Sequence, residues 1–177
     1  MTHQAGSRTL AFALGANLGR PLEALRRAAR GLAAVLHGTR VSAVYVTPPE
    51  GGADQPVYLN AVVSGEADLS PRQALDLARS LEGQAGRRRP RPGAARTLDV
   101  DVLFVGSAVV DEAGLRIPHP RWRHRDFVVV PLLDVAPDLV DPETGTSVRA
   151  VADANGWDAG RFPVAAEAGS LLAVETP

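Results

Sequence analysis

Lysine and cysteine are both absent from this chain of 177 residues. All 19 of its lysine-or-arginine positions are arginine. Without lysine there can be no Walker A lysine and no Schiff-base lysine. Without cysteine there are no disulfides, no thiolate metal sites and no thiol nucleophile. Aromatic residues are 5% of the total, too few for a sheet that binds RNA by stacking bases. No apolar run approaches the length of a membrane span, and the first residues show no signal-peptide pattern. A net charge of −1 gives no global pull toward nucleic acid or membrane. The expectation is a cytoplasmic monomer with neither kind of partner. Apolar residues, at 45%, can fill one domain-sized core.

What is abundant is arginine in one place. Arg87, Arg88, Arg89, Arg91 and Arg96 crowd a loop punctuated by Pro90, Pro92 and Gly93. Leu-Asp-Val-Asp-Val-Leu-Phe follows, alternating apolar and acidic residues from Leu98 to Phe104. Period two predicts a strand with Asp99 and Asp101 on one face. A solvated edge strand beside a solvated loop would explain this blandly. Yet Asp is depleted in strands, and two on one face repel without a cation between them. Paired carboxylates beside guanidiniums favour a metal-bound polyphosphate: carboxylates hold Mg²⁺ and arginines grip phosphate oxygens.

Around this stretch the chain alternates simple elements. Leu10–Leu14 reads as a buried strand, and Gly15–Gly19 as a tight turn rather than a phosphate loop. Pro21 opens a helix with apolar positions from Leu22 to Leu36, stopping at Gly38. Val41–Thr47 reads as one strand with Val41, Ala43, Tyr45 and Thr47 on one face. Val57–Glu66 reads as another, with Val57, Leu59, Ala61 and Val63 as its core face. Its other face pairs Tyr58 with Asn60, which either satisfy each other or offer a stacking surface and an amide to a heterocycle. Ser70-Pro71-Arg72-Gln73 is a capping box opening a helix to Gly86. Glu82, in its last turn, fits an i, i+3 pair with Arg79. The order βαββαβ predicts an α+β, ferredoxin-like split βαβ plan, an antiparallel sheet with both helices on one face. A hairpin over Val109–Ile117 is added. His119, held between Pro118 and Pro120, is structural or a positioned donor. Arg121–Phe127 begins a helix interrupted near Pro131. One domain over 1–177 is expected, with its core at about 9–140 and a mobile tail at about 156–177.

Five segments then occur in a telling order. They are Ala13-Leu14-Gly15-Ala16-Asn17-Leu18-Gly19; Tyr45-Val46-Thr47-Pro48-Pro49; Asp54-Gln55-Pro56-Val57-Tyr58-Leu59-Asn60-Ala61; Arg96-Thr97-Leu98-Asp99-Val100-Asp101; and Ile117-Pro118-His119-Pro120 with Arg125-Asp126-Phe127. Together they resemble the 6-hydroxymethyl-7,8-dihydropterin pyrophosphokinase family over roughly residues 10–140. The resemblance implies transfer of diphosphate from ATP to a hydroxymethyl dihydropterin in folate biosynthesis, leaving AMP. It implies that Asp99 and Asp101 hold two Mg²⁺ ions. Thr47, Pro48, Tyr58, Asn60 and Phe127 would form the pterin pocket, with the ring between Tyr58 and Phe127. Glu82, Arg89, Val102, His119 and Arg125 would contact ATP, and Arg87 and Arg96 would act in the catalytic loop. This chain departs from the family pattern at Pro92–Ala95, where an aromatic or Asn and Gly-Pro usually precede the arginine. It departs again at Glu50, where an apolar residue often lines the pterin site.

Two rivals share parts of this pattern. A two-metal nucleotidyltransferase would use Asp99 and Asp101 but leaves Tyr58 and Asn60 unexplained, and it releases pyrophosphate instead of AMP. An RNA-binding ferredoxin-like module lacks its aromatic strands here, and paired Asp would repel phosphate.

Overall fold

The computed structural model describes residues 6–50, 55–86 and 95–173. The chain runs β1 (Arg8–Ala16), α1 (Pro21–Ala33), β2 (His37–Val41), β3 (Val44–Thr47), β4 (Tyr58–Ala67), α2 (Pro71–Gln84), β5 (Asp99–Val105), β6 (Val110–Glu112), β7 (Leu115–Ile117), α3 (Asp126–Val135), α4 (Val148–Asn155) and β8 (Val164–Ala166). Six strands form one sheet in the order β5-β1-β4-β3-β8, with β2 also pairing β4, while β6 and β7 make a separate hairpin. The β1, β4 and β5 pairings are antiparallel. This is the expected ferredoxin-like core, with β2 and β3 sharing the place of one strand.

Alternation along β1 explains why it sits centrally. Leu10, Phe12 and Leu14 face α1 and α2, packing with Leu25, Leu32, Ala78 and Leu81. Ala11 faces the opposite way, with Val62 and Phe104. That second face is covered too, by α3 and α4, and by Trp122, whose ring meets Phe104 edge-on at 5.1 Å. The two core helices, α1 and α2, thus share one face as expected, and the later α3 and α4 cover the other. Pro71 at the helix start and a complete Ser70/Gln73 capping box set where α2 begins, a device that typically contributes about 1 kcal/mol.

Several boundaries differ from the sequence reading, each for a local reason. Helix α1 ends at Ala33, not Gly38. Leu36 stays in the core from the turn that follows, and Gly38 takes a left-handed φ of 58° where the β2–β4 register shifts. The strand expected from Val41 to Thr47 is broken at Ser42. Its Oγ accepts the Val62 N–H at 2.9 Å in place of a ladder carbonyl. Across this break Val41 faces α1 and α2, while Ala43 and Tyr45 pack against Val130 of α3. Val57 precedes its strand and is exposed. Pro131 does not interrupt α3. The break falls at Arg125, whose extended backbone separates a short 3-10 turn at Trp122–His124 from the helix. Residues 128–132 of α3 are all buried, and that burial outweighs the hydrogen bond Pro131 cannot make.

The chain after Asp134 ties the second face together. Asp134 Oδ2 accepts from the Tyr45 hydroxyl (2.9 Å) and the Ala43 N–H (3.0 Å), fastening α3 to β3. Burial, then this carboxylate, raise the Tyr45 phenol pKa, so it remains a donor. Strand β8 pairs with β3, and beyond it Leu171 is fully buried in the other cluster, under α1 and α2. No helix among the described residues is long and apolar enough to cross a membrane.

Asp141 is fully buried and receives Trp122 Nε1 (3.1 Å), Arg123 Nη2 (2.6 Å) and the Glu143 N–H (2.8 Å). Burial opposes its ionisation, but these donors outweigh burial and lower its pKa. Its contribution to stability is therefore present above the ordinary carboxylate range and is lost as pH falls through the depressed native value. Asp141→Ala should cost about 2–3 kcal/mol at neutral pH, and Asp141→Asn should flatten the acid limb of stability. Urea unfolding across pH 2–7 checks both; an unchanged acid limb in Asp141→Asn would remove Asp141 from this role.

Candidate active site

The site begins with register. Antiparallel pairing sets Gly15 of β1 opposite Asp99 on one side and Asn60 on the other, and Asn60 opposite Tyr45 of β3. Two residues along, on the same face, Ala13 lies between Asp101 and Val62. Directly paired residues share a face. The two carboxylates and the amide therefore project from the α3 side, and α3 begins beside them with Arg125 and Phe127.

These residues line one cavity of about 220 Å³. Its walls include Thr47, Pro48, Tyr58, Asn60, Arg96, Asp99, Asp101, Arg125 and Phe127, nine of the positions named from sequence. Asn60 and Thr47 are buried, and the Asn60 Nδ2 donates to Thr47 Oγ1 at 2.7 Å. Gly15 is required here: a Cβ would come within 2.9 Å of Asn60 Oδ1. Tyr58 donates its hydroxyl to Gln55 Oε1 (3.4 Å).

The charged wall is paired internally. Arg96 forms an ion pair and hydrogen bond with Asp99. Burial disfavours the Arg96 charge, but Asp99, Tyr58 and Asp101 outweigh it and the net pKa shift is upward. The Arg125 guanidinium lies 3.2 Å from Glu50, 3.7 Å from Asp101 and 5.4 Å from the Phe127 ring centroid. So the Asp pair expected to repel is compensated by Arg96 and Arg125.

His119 stands beside the cavity. Its Nε2 is 3.8 Å from Asp101 Oδ2, and its Nδ1 accepts the Arg121 N–H at 3.2 Å. Burial, then the Arg125 and Arg121 charges, push its pKa down to about 4, so it is neutral at pH 7. Glu82 does not line the cavity. It is buried, with Oε1 accepting the Val100 N–H at 3.0 Å, between the two aspartates in sequence. The Val102 side chain packs toward α1 and α2. Arg87 and Arg89 lie outside the described residues.

Three contributors escaped the sequence reading as site residues. Glu50 stood out only as a departure, and Gln55 only as part of a motif, yet both line the cavity. Asn17 was read as a turn residue. It is buried, and its Nδ2 donates to the Pro56 carbonyl (3.2 Å) while its Oδ1 accepts the Arg96 N–H (2.8 Å). Its own N–H donates to the Arg96 carbonyl (3.1 Å). It thus joins the turn, the approach to β4 and the arginine-loop end. An amide in a glycine-flanked turn was the available signal, but its partners lie 39 and 79 positions away.

Two carboxylates on one strand face fit a divalent cation that takes its other ligands from phosphate and water. Among the described residues no group of three or more His, Cys, Asp or Glu could form a closed protein cage. Carboxylates and guanidiniums on one wall and an amide with aromatic rings on the other suit a phosphate-transferring enzyme acting on a small heterocycle. The chain belongs to the 7,8-dihydro-6-hydroxymethylpterin-pyrophosphokinase family, whose model matches residues 11–137.

It is 40% identical over 138 residues to the 2-amino-4-hydroxy-6-hydroxymethyldihydropteridine pyrophosphokinase of Haemophilus influenzae, covering 77% of this chain and 86% of that one. It is 43% identical over 130 residues to the protein of the same name from Methylorubrum extorquens, covering 72% and 82%. The fold matches the crystal structure of wild-type Plasmodium falciparum HPPK-DHPS with TM-score 0.64 at 12% identity. That match covers 85% of this chain and 45% of the other, so the chain spans less than half of that structure's length. The family membership leaves the nucleotidyltransferase alternative without support.

Gly15→Ala isolates the amide. The added methyl must push the buried Asn60 amide off Thr47, so thermal stability should fall by about 1 kcal/mol, the scale of one buried hydrogen bond. Displacing Asn60 should weaken binding of a pterin by roughly tenfold, the loss of one buried hydrogen bond. Calorimetry with the pterin and a melting curve test this; unchanged pterin affinity would show that Asn60 does not need the space above Gly15.

Proposed function

We infer that this protein transfers the terminal diphosphate of ATP to the hydroxymethyl group of 6-hydroxymethyl-7,8-dihydropterin, in folate synthesis. The hydroxymethyl oxygen attacks the β-phosphorus, the bond to the α–β bridging oxygen breaks, AMP leaves and the hydroxyl proton is lost to solvent. The observation that carries this reading is the Asp99–Gly15–Asn60 row, which supports phosphate chemistry and heterocycle recognition within one cavity.

Each wall has a task in this reading. Asn60 and Thr47 recognise the pterin edge, Tyr58 and Phe127 cover its faces, and Pro48 closes the rim. Asp99 and Asp101 would hold two Mg²⁺ ions, which would supply charge neutralisation and alignment of the triphosphate. Arg125 and neutral His119 serve as donors to ATP beside Asp101, and Arg89 joins the ATP side; Glu82, through the Val100 N–H, and Val102, packed under α1 and α2, support that side from behind β5. Arg96 exchanges Asp99 for the transferring group, and Arg87 joins it from the same loop. Positioning and charge are the main requirements of phosphoryl chemistry, so no covalent intermediate is needed. We propose that a single domain over 1–177 works as a cytoplasmic monomer.

Incubation with Mg²⁺, ATP and the hydroxymethyl dihydropterin should yield AMP and the pterin diphosphate in equal amounts. Asp99→Asn and Asp101→Asn should each lower turnover by roughly a hundredfold or more, with melting temperatures close to the parent. Release of ADP or pyrophosphate, or full Mg²⁺-dependent turnover in either variant, would contradict the assignment.

A further inference from the structure

Beyond residue 137, where the family match ends, the chain makes a second set of contacts behind the site. Arg161 Nε donates to Asp126 Oδ2 at 2.7 Å, and its Nη2 lies 2.7 Å from the same oxygen in an ion pair. Its guanidinium carbon lies 5.7 Å from the Trp157 ring centroid and 5.6 Å from that of Phe162. The two rings thus hold the guanidinium while it grips the carboxylate. Both rings pack against the Ala43–Tyr45–Val130 cluster that joins β3 to α3. Next in sequence, the Pro163 carbonyl accepts the Val46 N–H at 2.8 Å, and β8 pairs with β3.

Asp126 is the first residue of α3, between Arg125 and Phe127. Its Oδ1 accepts the Phe127 N–H at 2.8 Å. One carboxylate therefore holds the backbone of Phe127 with one oxygen and receives Arg161 with the other. Arg125 is held separately, through Glu50 and Asp101. Loosening Asp126 acts first on Phe127.

We propose that Arg161, held beside Trp157 and Phe162, is a positioning residue that fixes Asp126 and so aims Phe127 at the heterocycle. This rests on the assignment of the Tyr58–Phe127 wall to the pterin. The segment after residue 137 is then part of the binding apparatus, acting through α3 without touching substrate. The effect is selective: the ATP side has its own anchors.

Calorimetry of 6-hydroxymethyl-7,8-dihydropterin on the full chain, with Mg²⁺ and a non-hydrolysable ATP analogue present, tests this. In Arg161→Ala the pterin Kd should rise about fivefold, the scale of a partly exposed ion pair. Binding stoichiometry and the Kd for the ATP analogue alone should not change. In the turnover assay KM for the pterin should rise with kcat within about twofold. Arg161→Lys, which keeps the charge, should recover part of the loss. An unchanged pterin Kd in Arg161→Ala would overturn the proposal. So would parallel loss of both ligands with a fall in stoichiometry, which marks a role in folding alone, or no recovery with lysine. A parent chain that binds the ATP analogue but no pterin would instead overturn the assignment of the pocket, and the positioning role with it.

Discussion

The site depends on the register of three strands. Asp99, Gly15 and Asn60 face one another in a row across β5, β1 and β4, with Tyr45 at the end of the row on β3. A slip of one residue in either β1 pairing would turn one of those side chains to the opposite face. The slip is prevented from the other side of the sheet. There Leu10, Phe12, Leu14, Val100, Ala61 and Val63 are buried under α1 and α2. The apolar core and the polar site are thus two faces of the same pairing, and burying one set positions the other.

Polar groups at the open end of the sheet answer to one another. Asn17 fastens the β1–α1 turn to residues 56 and 96, so the arginine-loop end and the approach to β4 share an anchor. Arg96 pairs with Asp99, and Arg125 with Glu50 and Asp101, so the carboxylates of the cavity wall face guanidiniums. Such pairs are exchangeable. On the proposed function, an incoming triphosphate with its cations would offer the arginines oxygens and the aspartates metal, so binding would swap partners without stranding a charge.

Much of this was legible in the sequence because it depends on short-range pattern. Period two at Asp99–Asp101 placed both carboxylates on one face, and the capping box at Ser70 marked the start of α2. The split βαβ order then followed from element types alone. Of the two roles the Tyr58/Asn60 pair left open, the structural one is visible in the Asn60–Thr47 hydrogen bond, while both residues line the cavity. What resisted reading depends on distant partners. Ser42 breaks a strand because its hydroxyl finds Val62 across the sheet. Gly38 resembled a helix stop but serves a bulge, since Leu36 is recruited to the core before the helix can continue. Pro131 resembled a break but is carried by burial on every side. The length from 138 onward showed no motif, because Arg161 has meaning only beside Asp126.

The most direct test of the shared cavity replaces Mg²⁺ by paramagnetic Mn²⁺ in the complex with a non-hydrolysable ATP analogue and the hydroxymethyl dihydropterin. Relaxation of the pterin hydroxymethyl protons should rise sharply, and replacing both Asp99 and Asp101 by asparagine should abolish the rise. Unchanged relaxation in a complex that demonstrably holds both ligands would separate the metal from the pterin and contradict the common site.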